Sequence, residues 1–549
     1  MRSLRPAVPA DSAPELLWGD RFRPLAQRIF GWNERVPLLV LATWAWLYLP
    51  RPFHLGFYHD DWWSFVEASH GSAPFSWQRL SHFVGSQTPF ASRPLGGFLC
   101  FLLNSIGGTS PFRYHACGAV LVLLAAFSLR AWFREMLSAA DAPARGIASD
   151  IAVAFWVTVP WSFAGTAWPT TVISAVPAQI FFTEAFRQIL PPRAIDRRHL
   201  TLFGIGLTAS YLTYESFYFQ FALVALFYLI FQRHIFKNWS TRLWFLGIGA
   251  GTQVLALGIN RYYAGVSPAV SKKFNPEWWT LFRQSLLNLP NQMLLRMGEN
   301  ARLWAGLVLL LSAASLLLLV VGFALRSRRE ATASALGLLL VGAFAIPITI
   351  FTYSVASYAV NAVGLQSRTF FPVSWALTMM VLGGVWLLLQ MRWKGVGVLL
   401  LAVPLGIVYL DGIAQRSVLD EMAYVWNQEQ DVLAHAPVKA LRDLPADSRI
   451  LFVGPAYYDG IAVFAADWDV TGAVYSVPGL SEGRAAFQRL GQIHSATTLY
   501  QWSWDGKNLV QNLPGYWKET RPAAHMFLWN YDGNRFYEVE PGFHWPATP

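Results

Sequence analysis

The feature that most constrains this chain is a succession of long apolar runs in which every second run ends in a cluster of arginines and lysines. A run of about 20 apolar residues spans the hydrocarbon core of a bilayer. Inside that core each backbone N–H and C=O must be satisfied within its own segment, so such runs fold as helices. Composition leaves little alternative: 54% of the 549 residues are hydrophobic and 13% are charged, against about 25% charged in soluble domains.

The runs give one consistent topology of about eleven crossings. A Pro/Arg-rich tail over residues 1–35 carries Arg21, Arg23, Arg28 and Arg35, which places it on the cytoplasmic side. It has no short apolar region ahead of a small-residue cleavage site, so the first span, residues 36–50, is expected to be retained. A loop over 51–93 then lies outside, followed by a half-length apolar segment from Arg93-Pro94-Leu95 to Asn104, read as re-entrant or interfacial. Later returns end at Arg130 and Arg134, at Arg187 to Arg198, at Arg233 and Lys237, at Arg326 to Arg329, and at Arg392 and Lys394. A long outer loop is expected from about Asn260 to Asn300. The fold class is thus an all-α polytopic membrane protein over 36–410, with residues 411–549 forming a small α/β domain on the outer face. In that domain Arg449 to Val453 reads as a strand and Asp420 to Leu433 as a helix. Trp504-Asp505-Gly506 and Tyr531-Asp532-Gly533 read as hairpins with type I′ turns, which need positive φ at both central residues.

The net charge of +10 comes from 42 basic against 32 acidic residues. Because the basic residues sit between apolar runs, the charge reports membrane orientation and no nucleic-acid partner is expected. Cys100 and Cys117 lie in apolar runs and read as small hydrophobes.

Chemistry concentrates in Tyr58-His59-Asp60-Asp61-Trp62-Trp63, which follows the first span directly. Asp60 and Asp61 are the only aspartates of the outer loop. Two adjacent, partly desolvated carboxylates raise each other's affinity for a proton or a divalent cation, so the pair is equipped to act as a general base or to hold such an ion. Tyr58, Trp62 and Trp63 offer rings suited to stacking on a sugar or to anchoring the loop. His59 and His54 read as hydrogen-bonding residues. Glu215, after Tyr214, lies between two apolar runs, where an ionisable group is expensive. Cations on the same outer side are Arg93, Arg261, Lys272, Lys273 and Arg368, the last just where the tenth span enters.

The acidic pair, the following Arg93-Pro94-Leu95, the span count and the outer C-terminal domain together resemble the membrane glycosyltransferases of the GT-C fold, which include protein O-mannosyltransferases and aminoarabinose transferases. The resemblance implies a polyprenyl-phosphate-linked sugar donor, a glycan, lipid or protein acceptor, and Asp60 as general base on the acceptor hydroxyl. It also implies the outer face of a bacterial inner membrane as the place of reaction. Inversion at the anomeric carbon needs a base on one face and a stabilised phosphate on the other, and the planar fork of an arginine suits that phosphate. The competing readings are a lipid-linked glycan flippase, which would distribute charge along its spans, and an O-antigen polymerase or ligase, which would rely on Arg and His in its loops.

Overall fold

The computed structural model describes residues 37–58, 61–62, 80, 93–137, 142–190, 195–214, 217–218, 220–232, 235–236, 238–266, 275–324, 329–356, 358–391, 394–445, 447–454, 463–464, 467–478, 480, 493–496, 501–513, 517–531 and 535–546. Among them, six helices are long and apolar enough to cross a membrane, or seven if one bent pair counts as a single span. The chain is a multi-pass helical membrane protein with a small C-terminal sheet region.

In chain order the first half of the bundle comprises α1 (Leu38–Tyr48), the short α2 (Arg51–His54), α3 (Pro94–Gly107), α4 (Pro111–Met136) and α5 (Ala142–Thr158). A 3-10 turn (Pro160–Ser162), α6 (Phe163–Ala167), α7 (Pro169–Arg187), α8 (Arg197–Thr213) and α9 (Gln220–Phe231) complete it. The second half comprises α10 (Trp239–Val266), α11 (Trp278–Met297), α12 (Ala301–Ala324), α13 (Arg329–Val355), α14 (Phe371–Leu389), the short α15 (Lys394–Leu400) and α16 (Ala402–Ala434). Helix α5 is central and packs on α1, α4, α14 and α16.

Among the described residues, four of the expected crossings do not meet the length and apolarity of a full span. Helices α1, α8 and α9 have 11, 17 and 12 residues. Helix α7 has 19 but carries Thr170, Thr171, Ser174, Gln179, Thr183 and Glu184. The expected third span is the bent pair: α5 and the segment after it meet at 52°. Pro160 supplies the break, since it offers no N–H to the preceding turn. The half-length segment after Arg93 is the 14-residue α3, as its apolar length requires.

The stretch expected as a loop from Asn260 to Asn300 holds the 20-residue α11 instead. Its inward residues Ser285, Leu289 and Met297 have helical spacing. The outward side is also apolar, with Leu286, Leu287, Leu294 and Leu295 exposed, so the sequence offers little contrast. Gly298, at φ +54°, ends the helix in the left-handed region that glycine adopts without penalty.

Helix α16 runs unbroken for 33 residues and carries the chain from the bundle into the C-terminal region. That region contains α17 (Val438–Arg442), β1 (Ser448–Val453), α18 (Asp467–Tyr475) and strands β2 (Ile493–Ser495), β3 (Gln501–Trp504), β4 (Asn508–Leu513), β5 (Trp517–Pro522), β6 (His525–Asn530), β7 (Arg535–Glu538) and β8 (Phe543–Trp545). One sheet has the order β2-β1-β6-β7, the other β5-β4-β3-β8. Strand β1 is parallel to both neighbours, with Ile450 opposite Ile493 and Phe527, and β6 and β7 are antiparallel. Alternation along β1 decides the packing. Leu451 enters the core between the sheets with Trp502, Trp504 and Leu528. Ile450 and Phe452 face a second core shared with α16, α18 and the first loop.

The first hairpin is present, with Trp504 opposite Leu509, but its turn is not type I′. Only Gly506 has positive φ, at +94°. The connection is three residues long, and Asp505 Oδ1 accepts the N–H groups of Lys507 and Asn508, which sets the turn instead. In the second, β6 and β7 pair antiparallel with Asn530 opposite Arg535, and Asp532-Gly533 falls outside the described residues.

Candidate functional site

The segment after α2 leaves it in extended conformation and folds back at Tyr58. The Asp61 N–H donates to the Tyr58 carbonyl (3.0 Å) and Asp61 Oδ2 accepts the Tyr58 N–H (3.1 Å), closing a tight turn. The other oxygen, Asp61 Oδ1, accepts the Thr170 N–H (3.0 Å) and the Thr170 hydroxyl. Thr170 lies in the first turn of α7, behind Pro169, which has no N–H to offer. The carboxylate therefore sits where a helix N-terminus presents free donors and partial positive charge. Asp61 is 1% exposed and both its oxygens are engaged. Asp60, His59 and Trp63 lie outside the described residues.

Tyr58 and Trp62, read as rings open to a sugar or as anchors, are anchors. The Tyr58 hydroxyl donates to the Met422 carbonyl (2.9 Å) and accepts the Gly56 N–H (3.2 Å). Its burial pushes the phenol well above its ordinary range. Trp62 Nε1 donates to Glu429 Oε2 (3.2 Å), and its ring stacks on Trp426 at 5.9 Å with Phe57 edge-on at 5.4 Å. Gly472 of α18 lies so close that an added Cβ would stand 2.8 Å from the Trp62 carbonyl oxygen. Neither ring has a free face; the burial that makes them apolar anchors removes them from solvent.

Trp168 is the point where the candidate residues meet. Its Nε1 donates to the Tyr58 carbonyl (3.0 Å), and its ring lies 4.8 Å from the Arg368 guanidinium carbon. Arg368 is carried on the 3-10 turn Leu365–Phe370. That turn is held against α6 by the Ala164 N–H, which donates to Ser367 Oγ (3.2 Å). The tripeptide Trp168-Pro169-Thr170 thus bears a carboxylate on one flank and a stacked guanidinium on the other, in the cation–π arrangement arginine favours.

A second pairing joins Arg93 and Tyr214. The Arg93 guanidinium carbon lies 4.7 Å from the Tyr214 ring, whose hydroxyl accepts from Tyr353 (3.4 Å). The approach needs Gly96, since a Cβ there would stand 2.6 Å from the Thr213 carbonyl oxygen. Helix α3 also packs on α7, the helix that Asp61 caps. Glu215, Lys272 and Lys273 lie outside the described residues, and Arg261 is exposed on α10.

Sequence reasoning missed Arg51. It is 2% exposed, lies 3.6 Å over the Tyr48 ring and 4.9 Å over Phe163, and donates to the carbonyls of Leu47 (Nε, 3.2 Å) and Thr166 (Nη1, 2.8 Å). Nη2 is buried without a partner among the described residues. Among the described residues Arg51 meets carbonyls and the Tyr48 and Phe163 side chains but no carboxylate, and a buried cation so placed is costly unless an anion joins it. The available signal was its position: an arginine at the end of the first apolar run that was expected to face outward runs against the charge bias of membrane loops. Glu429, 1% exposed on α16, was missed too, because it lies in a stretch read only as a helix of the C-terminal domain. Among the described residues no group of three or more His, Cys, Asp or Glu side chains is placed to hold a metal ion. The divalent cation expected of the acid pair would rest in part on Asp60, outside those residues.

No protein-family model matches the chain, and no curated protein matches it. The functional reading therefore stands on the residues themselves.

Proposed function

We propose that the chain is an inverting glycosyltransferase that moves a sugar from a polyprenyl-phosphate carrier to an acceptor hydroxyl at the outer face of a bacterial inner membrane. The observation that carries this reading is the Trp168 corner, where the loop of the acidic pair and the Arg368 guanidinium meet on one residue. In this scheme the two aspartates divide the work. Asp61 is consumed in fixing the turn to α7, which leaves its neighbour Asp60 as the base. Asp60 takes the proton of the acceptor hydroxyl as the acceptor oxygen bonds to the anomeric carbon. The bond from that carbon to the phosphate oxygen breaks, and the phosphate departs with the electron pair. Arg368 meets the charge that develops on it, and the spare N–H of buried Arg51 offers a second donor. Phosphate is a good leaving group, so no general acid is required.

The donor class is tested with the purified protein in liposomes, offered a panel of radiolabelled polyprenyl-phosphate sugars or the matching nucleotide sugars together with a membrane extract as acceptor. Transfer from a lipid-linked donor and none from nucleotide sugars is expected. Transfer from nucleotide sugars alone would overturn the reading.

A further inference from the structure

Helix α16 carries a second polar site that the transfer scheme does not use. Asp411 is fully buried in a helical stretch long and apolar enough to cross a membrane. One of its oxygens, Oδ1, accepts from Trp304 Nε1 (3.0 Å); the other, Oδ2, is buried with no partner among the described residues. One turn further on, Gln415 is 1% exposed. Its Nε2 donates to the Val159 carbonyl at a long 3.4 Å, and its Oε1 is likewise buried with no partner among the described residues. The amide orientation is not arbitrary, since turning it over would set two carbonyl oxygens against each other. Residues four apart share a helix face, so two acceptor oxygens without donors lie on adjacent turns of α16.

Gln415 reaches the break that follows α5, and Asp411 is linked to it through Trp304. Val159 is the residue between α5 and the 3-10 turn, and Pro160 denies the last turn of α5 a backbone donor. Trp161, on that turn, packs edge-on against Trp304 at 5.1 Å, and Trp304 in turn holds Asp411. A broken membrane helix, its freed carbonyls, a buried acid and an amide oxygen are the parts from which oxygen-lined cation sites inside membranes are made. Two lone acceptors beside a carboxylate call for a positive partner, because each unsatisfied buried oxygen costs free energy and an unpaired buried charge costs more. A single carboxylate matches a single positive charge, whereas divalent ions of this kind take six or more oxygens and usually several carboxylates.

We propose that Asp411 Oδ2 and Gln415 Oε1, with carbonyl oxygen from the Val159–Pro160 break, form a binding site for a monovalent alkali cation, with sodium as the fitting probe. The site is independent of the transfer reaction proposed above.

The test is thermal unfolding of the full-length protein in nanodiscs, followed by tryptophan fluorescence, at fixed ionic strength with choline chloride replaced stepwise by sodium chloride. Sodium is expected to raise the unfolding temperature of the wild type in a saturable way. Asp411→Asn is expected to abolish the saturable rise, and Gln415→Leu, which keeps the carboxylate, to weaken apparent sodium affinity at least about tenfold. Asp505→Asn, in an exposed turn of the C-terminal region, serves as the control and is expected to keep the full rise. Should Asp411→Asn fail to fold, Gln415→Leu decides alone. An unfolding temperature indifferent to sodium, or a rise that survives unchanged in Gln415→Leu, would overturn the proposal and leave Asp411 as a carboxylic acid held neutral by its surroundings.

Discussion

Asp61 and Thr170 are joined by two hydrogen bonds, from the backbone N–H and the hydroxyl of Thr170 to one carboxylate oxygen, across 109 residues of chain. This contact turns the most conspicuous acid of the sequence into the cap of a helix. Asp61→Ala removes that cap and the bond to the Tyr58 N–H. It is expected to lower stability by about 2 kcal/mol, at the upper end for loss of a capping side chain. Asp61→Asn keeps one acceptor oxygen and is expected to cost less than half of that. Thermal unfolding of both variants in detergent checks the order.

Trp62 ties the first loop to α16 and to the C-terminal region. Trp62→Phe keeps most of the stacking on Trp426 but leaves Glu429 Oε2 without its indole donor, at a cost of about 1–3 kcal/mol for a buried polar group. Gly472→Ala drives a Cβ against the Trp62 backbone, which cannot yield as a flexible side chain would. Both variants are expected to expose the C-terminal region to limited proteolysis, with Gly472→Ala the more severe. Equal protease resistance in wild type and both variants would show that the contact does not hold the two parts together.

Arg368 and Arg51 are expected to respond differently. Arg368→Lys loses the planar group stacked on Trp168 and should raise the KM for a lipid-phosphate donor about tenfold or more, with little change in stability. Arg51→Met replaces a buried cation by an apolar side chain of similar reach, an exchange that is often neutral in stability when no anion is present. It should weaken donor binding while the unfolding temperature without donor stays close to that of the wild type. Binding of a short-chain polyprenyl phosphate measures both.

The C-terminal region should lose stability in acid in two steps. His494 Nδ1 lies 2.8 Å from Asp467 Oδ2, and Arg521 Nη1 donates to the same oxygen at 3.1 Å. Burial holds the His494 ring below its ordinary range despite the adjacent carboxylate. Burial pushes the Asp467 carboxyl up, but hydrogen bonds from His494, the Ser495 N–H and Arg521 outweigh it and hold the group below the usual carboxylate range. Both folded values lie under the unfolded ones, so each contribution is complete above the unfolded value and is lost as pH falls. The first step begins below about pH 6.5, where an unfolded histidine gains its proton, and the second below about pH 4. Trp502, whose ring centroid lies 5.6 Å from that of His494, reports locally. His494→Gln should remove the upper step of a fluorescence titration and Asp467→Asn the lower.

The parts of this fold legible in the sequence are those where one signal acts alone. The apolar length of α4, α12, α13 and α14 and the β-branched and aromatic run of β1 are such cases. Where two signals oppose or none contrasts, sequence reading fails for identifiable reasons. Helix α11 is apolar on its outward side as well as inward, so periodicity is faint. Position 411 carries an acid and suggests a boundary, yet Trp304 accommodates that acid and α16 continues to Ala434. At the candidate site, the loop after α2 and Arg368 stood out by residue type and expected topology, and both contact Trp168. The capping role of Asp61, the burial of Trp62 and the presence of Arg51 were not legible, because each depends on a contact more than a hundred residues away.

The division of labour between the two aspartates is tested most directly by sugar transfer from the lipid-linked donor in membranes carrying Asp60→Asn, with thermal unfolding measured on the same variant. The account predicts a fall of at least about 100-fold, the scale of a lost general base, with an unfolding temperature equal to that of the wild type. Transfer within a few-fold of the wild type by a stable Asp60→Asn protein would contradict it.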